Sequence, residues 1–445
     1  MKYGETVFGE FIERPNRFIA KVRLRNTGEI ETVHVKNTGR CRELLIPGAE
    51  VALAKADNPD RKTDYDLIAV VKANLGGADC GPGWVNIDSQ ASNRLVREWL
   101  EGGGFPDGRL TEIKPEYSFG NSRIDFYCEA EGRRDNPSET RKILIEVKGC
   151  TLEIDGQGYF PDAPSQRAVK HLRELAKAAS EGYECYIAYT ITMPGISSVK
   201  PNVATHPQYG EAIREAMDAG VRILFLECET KPDRLCISRC TKLISVETMR
   251  RSDAYTIANI TPSKELMFRA GRSIFEAVCW RAPVAIAAGK GNNAGDGYVV
   301  AKLLRDSGVD CRIFLLDERR FSEDGGHYFE ICRREGIPYE EFTEETDLSE
   351  YGTILDCLLG TGFTGDVRGM AGSAIREINR CGSLGAYVVS ADINSGLNGD
   401  TGEGSTFVRS DLTVSIGDFK YGHFTGKADE AMKARINCDI GIEII

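Results

Sequence analysis

The segment Gly289-Lys290-Gly291-Asn292-Asn293-Ala294-Gly295-Asp296-Gly297 packs four glycines, two asparagines and an aspartate into nine positions. Glycine takes positive φ at low cost and lets a ligand approach the backbone closely. The apolar run Val284–Ala288 enters the segment and an amphipathic run, residues 298–304, leaves it. The order is strand, tight glycine loop, helix. A helix start offers free N–H groups and a positive dipole end to an anion. The side-chain oxygens of Asn292, Asn293 and Asp296 suit a sugar hydroxyl or a hard cation. The plain alternative is a glycine turn that holds nothing, and residues this small and polar are poor at any task except holding something.

A second grouping can do phosphate chemistry. Ser122-Arg123-Ile124-Asp125-Phe126-Tyr127 reads as a strand with an acid in its middle. A polar loop over residues 131–138 leads to a second strand, Ile143-Leu144-Ile145-Glu146-Val147-Lys148-Gly149. Glu146 and Lys148 are two apart and project from one face of the sheet. Two carboxylates, Asp125 and Glu146, can hold Mg²⁺ with phosphate and water completing its shell. The lysine can orient a water or steady charge developing on phosphorus. This is the layout of the PD-(D/E)xK nuclease core. A Glu-x-Lys pair is also common on solvated strand faces. Ile143, Leu144, Ile145 and Val147 argue instead for a buried strand, where charges need partners or a metal. A helix beginning after Pro164 places Arg167, Lys170 and His171 on neighbouring turns, facing either phosphate or solvent.

The elements that must position these groups are legible as patterns. From residue 16 to about 75, short alternating runs are separated by turn signals such as Asn26-Thr27-Gly28 and Ile46-Pro47-Gly48. That pattern predicts a small β-barrel of the OB type. Its Arg17, Arg23, Arg25 and Lys36 face either a nucleic acid or solvent. Residues 93–100 carry Leu95, Val96, Trp99 and Leu100 at helical spacing and stop at Gly102-Gly103-Gly104. A strand–helix alternation continues at residues 186–191 and 221–226. Residues 230–245 read as a join. Helices follow over residues 248–258 and 263–278, the second capped by Thr261 or Ser263 with Glu265 in its first turn. The second half then alternates strand (311–316, 353–360, 386–391, 412–416) with helix (325–335, 373–380), the pattern of a doubly wound sheet. In such sheets ligands bind beyond the carboxyl ends of the strands. Three polar clusters fall there: Asn292 to Asp296, Asp356 with residues 360–366, and Asp392 with Ser395. The dinucleotide Rossmann fingerprint is not matched, because Gly289-x-Gly291 lacks the third glycine at its spacing, and there is no Walker lysine.

At 445 residues the chain has room for two or three domains. No run of eighteen apolar residues occurs, and Met1 to Glu5 offers no apolar signal region, so a cytoplasmic protein without a membrane partner is expected. Fourteen cysteines without a Cys-x-x-Cys pair, and only five histidines, argue for reduced thiols over zinc. Residues 1–240 carry 33 Lys and Arg against 36 Asp and Glu, and the remainder carries 23 against 31. A basic face can hide in the first near-zero sum, whereas the second gives no support to a phosphate-backbone partner.

Taken together, Asn37-Thr38-Gly39, Asn93-Arg94-Leu95-Val96, Ser122 to Phe126, Glu146-Val147-Lys148 with Thr151-Leu152, Phe160-Pro161-Asp162-Ala163 and Lys170-His171-Leu172 resemble the sugar fermentation stimulation protein A family over about residues 1–240. The resemblance implies an OB-like domain followed by a restriction-endonuclease-like α/β domain, with DNA or RNA as partner. It makes Asp125, Glu146 and Lys148 the nuclease triplet and Glu98 an additional acid for Mg²⁺. Gly149 departs from the family, which has asparagine there.

From about residue 245 to 442 the chain resembles the YjeF N-terminal domain, the NAD(P)H-hydrate epimerase family. Leu266-Met267, Ala270-Gly271, residues 289–297 and 360–368, Asp392 to Gly396, Thr401-Gly402 and Asp439-Ile440-Gly441 carry this match. It implies a Rossmann-like doubly wound domain that interconverts the R and S forms of hydrated NADH or NADPH, NADHX and NADPHX. By position, Asn293, Asp356 and Ser395 would hold K⁺. Asn292, Asn293, Ala294, Gly295 and Asp296, with Gly360, Thr361, Gly362, Phe363, Thr364, Gly365 and Asp366, would hold the nucleotide. Asp392 would be the acid/base at the epimerising carbon. Ala294 replaces a glycine and is expected to disfavour positive φ, Asn394 replaces a proline and is expected to loosen its turn, and Phe268 replaces a glutamate. The expected organisation is 1–80 barrel, 81–240 nuclease-like, 241–445 epimerase-like, with a homodimer as an open state. The leading expectation is a bifunctional enzyme. The alternative is a nucleic-acid-binding transcriptional regulator with a nucleotide-sensing second half and no nuclease activity.

Overall fold

The computed structural model describes residues 1–37, 39–56, 58, 60–73, 82–132, 139–317 and 321–445. Thr38 of the Asn-Thr-Gly motif and residues 133–138 of the polar loop therefore lie outside the described residues. The chain divides into two compact units, Met1–Lys242 and Leu243–Ile445. The segment expected as a join is instead two paired strands, Arg222–Lys231 and Arg234–Ile244, and the division falls inside the second.

The first unit opens with a closed five-strand barrel. Strands Thr6–Asn16, Ile19–Leu24 and Ile30–Val35 form a meander. Glu50–Lys55 pairs with the first strand and with Tyr65–Lys72, and the barrel closes where His34 and Val35 pair with Asp66 and Leu67. Ala20, Val22 and Leu24 alternate inward as their spacing predicts.

Beyond the barrel lies a mixed sheet in the order Arg234–Ile244, Arg222–Lys231, Glu184–Ile191, Arg141–Cys150, Ser122–Ala130, Leu110–Phe119. Its three middle strands run parallel: Glu184–Ile191 between Arg222–Lys231 and Arg141–Cys150. Parallel strands covered on both faces read as continuous apolar runs, and Ile143, Leu144 and Ile145 are fully buried. Helix Ala91–Glu101 packs Val96 and Leu100 into the same core. Helix Gln166–Ser180 starts at Ser165, whose hydroxyl accepts the Ala168 N–H.

The second unit is a parallel sheet ordered Tyr339–Glu341, Cys311–Leu315, Val284–Ala288, Thr353–Cys357, Tyr387–Ala391, Ser410–Ile416, Met432–Cys438. The chain starts at Val284–Ala288, winds outward to one edge, then returns to Thr353–Cys357 and winds to the other. The crevice between those two strands is the switch point at which such sheets bind ligands. Helices Val246–Asn259 and Ser263–Ala277 precede the sheet. Pro262, not Thr261 or Ser263, takes the cap position of the second helix, and no side chain caps it.

The glycine segment corrects the sequence reading. Helix Asn292–Asp306 begins inside it, capped by Gly291, so Asn292 to Asp296 are helical and not loop. None of its four glycines has positive φ. What the backbone needs is room: a Cβ on Gly289 would stand 1.8 Å from the Leu358 carbonyl oxygen. Ala294 carries no φ penalty, because it is helical and its methyl belongs to the apolar core.

Candidate functional sites

In the first unit the antiparallel register Phe126↔Ile145 sets Asp125 beside Glu146 across two central strands. Asp125 Oδ2 accepts the Val147 N–H at 2.8 Å, and Oδ1 accepts Asn93 Nδ2 at 2.7 Å. Glu146 is 1% exposed. Its Oε1 is bonded by Lys148 Nζ and His171 Nδ1, while its Oε2 is buried with no hydrogen-bond partner. Burial pushes Glu146 up, but the Lys148 charge and His171 hold it below the usual carboxylate range. Burial and the Glu146 charge push Asp125 up. Two adjacent carboxylates, Asp125 half-buried and Glu146 buried with an orphaned oxygen, fit a hard divalent cation by their donor set.

Glu98 is occupied elsewhere. Its carboxylate meets the Met1 amine at 2.8 Å and Arg94 at 3.2 Å, and Asn93 is the residue of that helix that reaches Asp125. Of the helical trio, His171 is turned inward onto Glu146, Arg167 donates toward its ring, and Lys170 donates to the Asn121 carbonyl. The Glu146–His171 pairing escaped the sequence, because it joins a strand and a helix 25 residues apart. Gly149 has a local cause: a Cβ there would stand 2.8 Å from Ser92 Oγ, which takes a 2.8 Å bond from Thr190.

The basic residues of the barrel separate into two sets. Lys36 and Arg61 neutralise the buried Asp66, which they and His34 bring down to about 2 against the effect of burial. Arg25 pairs with Glu50. Arg17, Arg40 and Arg42 instead line an open groove of about 280 Å³, with Arg14 tied by backbone carbonyls of residues 37, 39 and 40 at its floor.

In the second unit a cavity of about 620 Å³ opens at the switch point. Asn292, Asn293 and Asp296 line it from the helix start, and Gly360, Thr361, Gly362 and Phe363 from the facing strand end. No side chain caps the Asn292–Asp306 helix, which leaves its first N–H groups for a ligand. Three expected binding residues are not in the wall: Thr364, Gly365 and Asp366 are exposed beyond it, and Asp366 accepts a bond from Ser405. Ala294 and Gly295 are likewise buried behind the wall.

Behind the cavity, Asp356 is fully buried and receives only neutral donors among the described residues. Ser395 Oγ donates at 2.5 Å, Ser395 N–H and Ser390 Oγ at 2.9 Å, and Leu358 N–H at 3.2 Å. Asn293 Nδ2 donates to the Leu359 carbonyl at 3.2 Å, and its Oδ1 is buried without a partner. A carboxylate, an orphaned amide oxygen, a serine hydroxyl and a carbonyl converge, with no cationic side chain bonded to them among the described residues. Burial pushes Asp356 up, and a monovalent cation would supply its missing charge. The donor set fits K⁺.

Asp392 follows strand Tyr387–Ala391 with φ +59°, a conformation that non-glycine residues adopt at a cost of order 1–3 kcal/mol. Its Oδ1 takes Lys420 Nζ at 2.6 Å and the Ile416 N–H at 3.2 Å. Burial raises Asp392, but the Lys420 charge and hydrogen bond, with His423 and the Ile416 N–H, together keep the carboxyl below its usual range. His423 Nε2 sits 2.7 Å from the Asp392 carbonyl, and Nδ1 accepts the Lys420 N–H, so the ring is neutral. Burial, then Lys420, bring it down to about 4.

Comparisons with known proteins assign both halves. The model of the sugar fermentation stimulation protein RE domain matches residues 90–234, and that of the SfsA N-terminal OB domain matches residues 12–87. The model of the YjeF-related protein N-terminus matches residues 263–422. The sugar fermentation stimulation protein homolog of Desulfitobacterium hafniense (strain DSM 10664 / DCB-2) is 49% identical over 235 residues, which are 53% of this chain and 94% of the relative. The chain belongs to the sugar fermentation stimulation protein family, with a YjeF-related N-terminal domain fused behind it. The homolog of Clostridium beijerinckii is 46% identical over 53% of this chain and 96% of its own length. A solved structure, that of Pyrococcus furiosus SfsA in complex with Ca²⁺, is 28% identical over 54% of this chain and 96% of its own, with a TM-score of 0.44.

Within the YjeF-related half, two departures from the family pattern have physical explanations. Asn394 does not loosen its turn: it is fully buried, its amide donates to the carbonyls of Val408 and Ala431 and to Ser410, and its oxygen accepts from Thr413. Phe268 lies under the Arg272 guanidinium, outside the cavity wall. Lys420, His423 and Asp253 were missed by sequence reasoning. Each acts on the site from a distant part of the chain, and a lone lysine or histidine after a strand carries no local signal.

Proposed function

We propose that the chain is a bifunctional enzyme of three domains, at about 1–80, 81–240 and 241–445. Its second half epimerises hydrated NADH and NADPH, and its first half binds DNA or RNA and hydrolyses it with Mg²⁺. The observation that carries the epimerase reading is the strained Asp392, held ionised by Lys420 in the wall of a nucleotide-sized cavity beside the Asn293, Asp356 and Ser395 nest. An ionised carboxylate can take a proton from the hydroxyl or from the water that replaces it. The uncapped helix start at Asn292 and the Gly360–Phe363 backbone would take the phosphates. K⁺ in the nest would fix the two strand ends against each other and offset the Asp356 charge. The test is conversion of (R)-NADHX to the S epimer above the spontaneous rate. Wild-type protein should convert it, and Asp392→Asn should lose at least ~100-fold of that rate. Absence of conversion, or an Asp392→Asn enzyme at full rate, sinks the reading.

For the first half, the orphaned Glu146 Oε2 beside Asp125 supports a metal site, and Lys148 against Glu146 supports a charged reaction centre. Asp125 and Glu146 would hold Mg²⁺, which supplies charge neutralisation at phosphorus. Lys148 would orient the attacking water, and His171 would fix the Glu146 rotamer. Mg²⁺-dependent cleavage of single- and double-stranded DNA and RNA tests this. Cleavage should disappear in Glu146→Gln and Lys148→Ala. Binding without cleavage by the wild type would instead favour a regulator.

A further inference from the structure

The epimerase cavity holds more acid than one carboxylate needs. Asp253, on helix Val246–Asn259, and Asp296, in the first turns of helix Asn292–Asp306, line it together with Asp392 and the ammonium of Lys420. Asp392 and Asp296 come from different elements, a strand end and a helix start. Lys420 is bonded to Asp392 and to the Ile416 carbonyl, and so is committed away from Asp253 and Asp296.

Epimerisation at a carbinol carbon needs chemistry on two faces. Hydration of the enamine of a dihydronicotinamide puts the hydroxyl on the carbon next to the ring nitrogen. Inversion there requires the departing oxygen to receive a proton on one face and the arriving water to lose one on the other. Asp392 is held in place by Lys420 and the Ile416 N–H, and a carboxylate so held reaches only one face of a ring bound in the cavity. We propose that Asp296 is the second catalytic residue: it carries the proton that the departing hydroxyl takes, while Asp392 serves the opposite face. This inference rests on the epimerase reading.

The step balances. The Asp296 carboxyl gives its proton to the hydroxyl, the C–O bond breaks, and water leaves as the nitrogen lone pair forms C=N⁺. A water then adds to the other face and gives a proton to Asp392, and the π pair returns to nitrogen. One water leaves and one enters, no C–H bond breaks, and nothing is oxidised or reduced. Asp296 has lost a proton and Asp392 has gained one. Return of that proton through solvent, or turnover in the reverse direction, resets the pair.

The charge environment agrees with the assignment. Burial, then the charges of Asp392 and Asp253, push Asp296 well above the usual carboxylate range, while Lys420 opposes them more weakly. Asp253 is raised by burial and by Asp392 in the same way. The Cys357 thiol faces Asp296 from the sheet and is itself held neutral by burial. Lys290, Asp324 and Arg250 complete the ionisable groups of the wall. Two carboxyls whose surroundings drive their affinities for protons apart form an acid and a base.

The test is a pH–rate profile of (R)-NADHX epimerisation by the full chain, for wild type, Asp296→Asn and Asp296→Glu. Asp296→Asn should lower kcat about 100-fold with KM within about threefold. It should also lose the alkaline limb of the profile, which reports the acid. Asp296→Glu should recover part of kcat together with that limb. An Asp296→Asn enzyme with unchanged kcat, or one with raised KM and an intact alkaline limb, overturns the proposal and makes Asp296 a binding residue. A wild type that does not epimerise overturns the epimerase reading, and this proposal with it. Circular dichroism and the melting temperature of each variant identify a folding defect, and Asp296→Glu then decides the question by its own alkaline limb: retained it supports the proposal, and lost with kcat intact it overturns it.

Discussion

Lys420 meets the cavity through its bond to Asp392, and it is 1% exposed. Its ammonium is the largest influence that holds the half-buried Asp392 carboxyl down beside two other acids, with His423 and the Ile416 N–H assisting. Replacing it by methionine keeps the volume and removes the charge. Asp392 would then have only the Ile416 N–H and His423 against burial and its acidic neighbours, and would titrate at higher pH than in the wild type. A group depressed in the folded state stabilises the fold above its unfolded pKa, and that contribution is lost as pH falls through the folded value. His423 acts in the same direction: it is neutral when folded and protonates near pH 6.5 when unfolded, so stability falls between about 6.5 and its folded value of about 4. Lys420→Met should therefore cost roughly 3–5 kcal/mol at pH 7, as removal of one partner of a buried pair does. It should also move the acid limb of the epimerase profile to higher pH. Urea unfolding and the pH–rate profile measure the two effects. An unmoved acid limb would show that Lys420 does not set the Asp392 charge.

Elements decide whether those residues meet, and the Gly289 turn is the tightest joint among them. Its missing side chain lets strand end Val284–Ala288 pass the Leu358 carbonyl, and a Cβ 1.8 Å from that oxygen has nowhere to go. Gly291, two residues on, has nothing within 4 Å of its Cβ position, and its φ of −97° suits any residue. Gly289→Ala should cost about 3 kcal/mol or more, by forcing the two strand ends apart. Gly291→Ala should cost under about 1 kcal/mol, as an N-cap change. Urea midpoints of the two variants give the comparison, and equal losses would refute the close-approach account. The same segment shows what was legible. Its strand and helix were visible in the apolar runs, and its polar residues marked the stretch that lines the cavity. The helix start inside the glycines was not, because steric room and positive φ leave the same letter in a sequence. Strand Leu110–Phe119 was also invisible. It has no buried residue, carries Pro115 and lies at the sheet edge, where proline is tolerated and the apolar alternation that marks a strand is not required. Asp125, Glu146 and Lys148 were legible because strand register is a local property. His171 and Lys420 were not, because their partners are fixed only by the packing of remote elements.

At the scale of the whole molecule the charge is acidic, −11, yet the first half sums to −3 and the rest to −8. A polyanion approaching such a chain is repelled on average, so binding must come from a local concentration of positive charge. The barrel provides one. Arg17, Arg40 and Arg42 line a groove, whereas Lys36, Arg61 and Arg25 are already neutralised by Asp66 and Glu50. Each arginine withdrawn from a phosphate should reduce the slope of log K against log salt by about 0.9 for duplex and 0.7 for single strands. The double substitution Arg40→Ala, Arg42→Ala should therefore flatten the slope by about 1.4 to 1.8, while Lys36→Ala should leave it nearly unchanged. Fluorescence anisotropy with labelled oligonucleotides between 50 and 200 mM salt, about the range in which such slopes are read, makes the measurement. A slope that responds to Lys36 and not to Arg40 and Arg42 would move the interface to another face of the barrel. The epimerase rate should be the same in all of these variants, because none of the substituted residues lines the second unit's cavity.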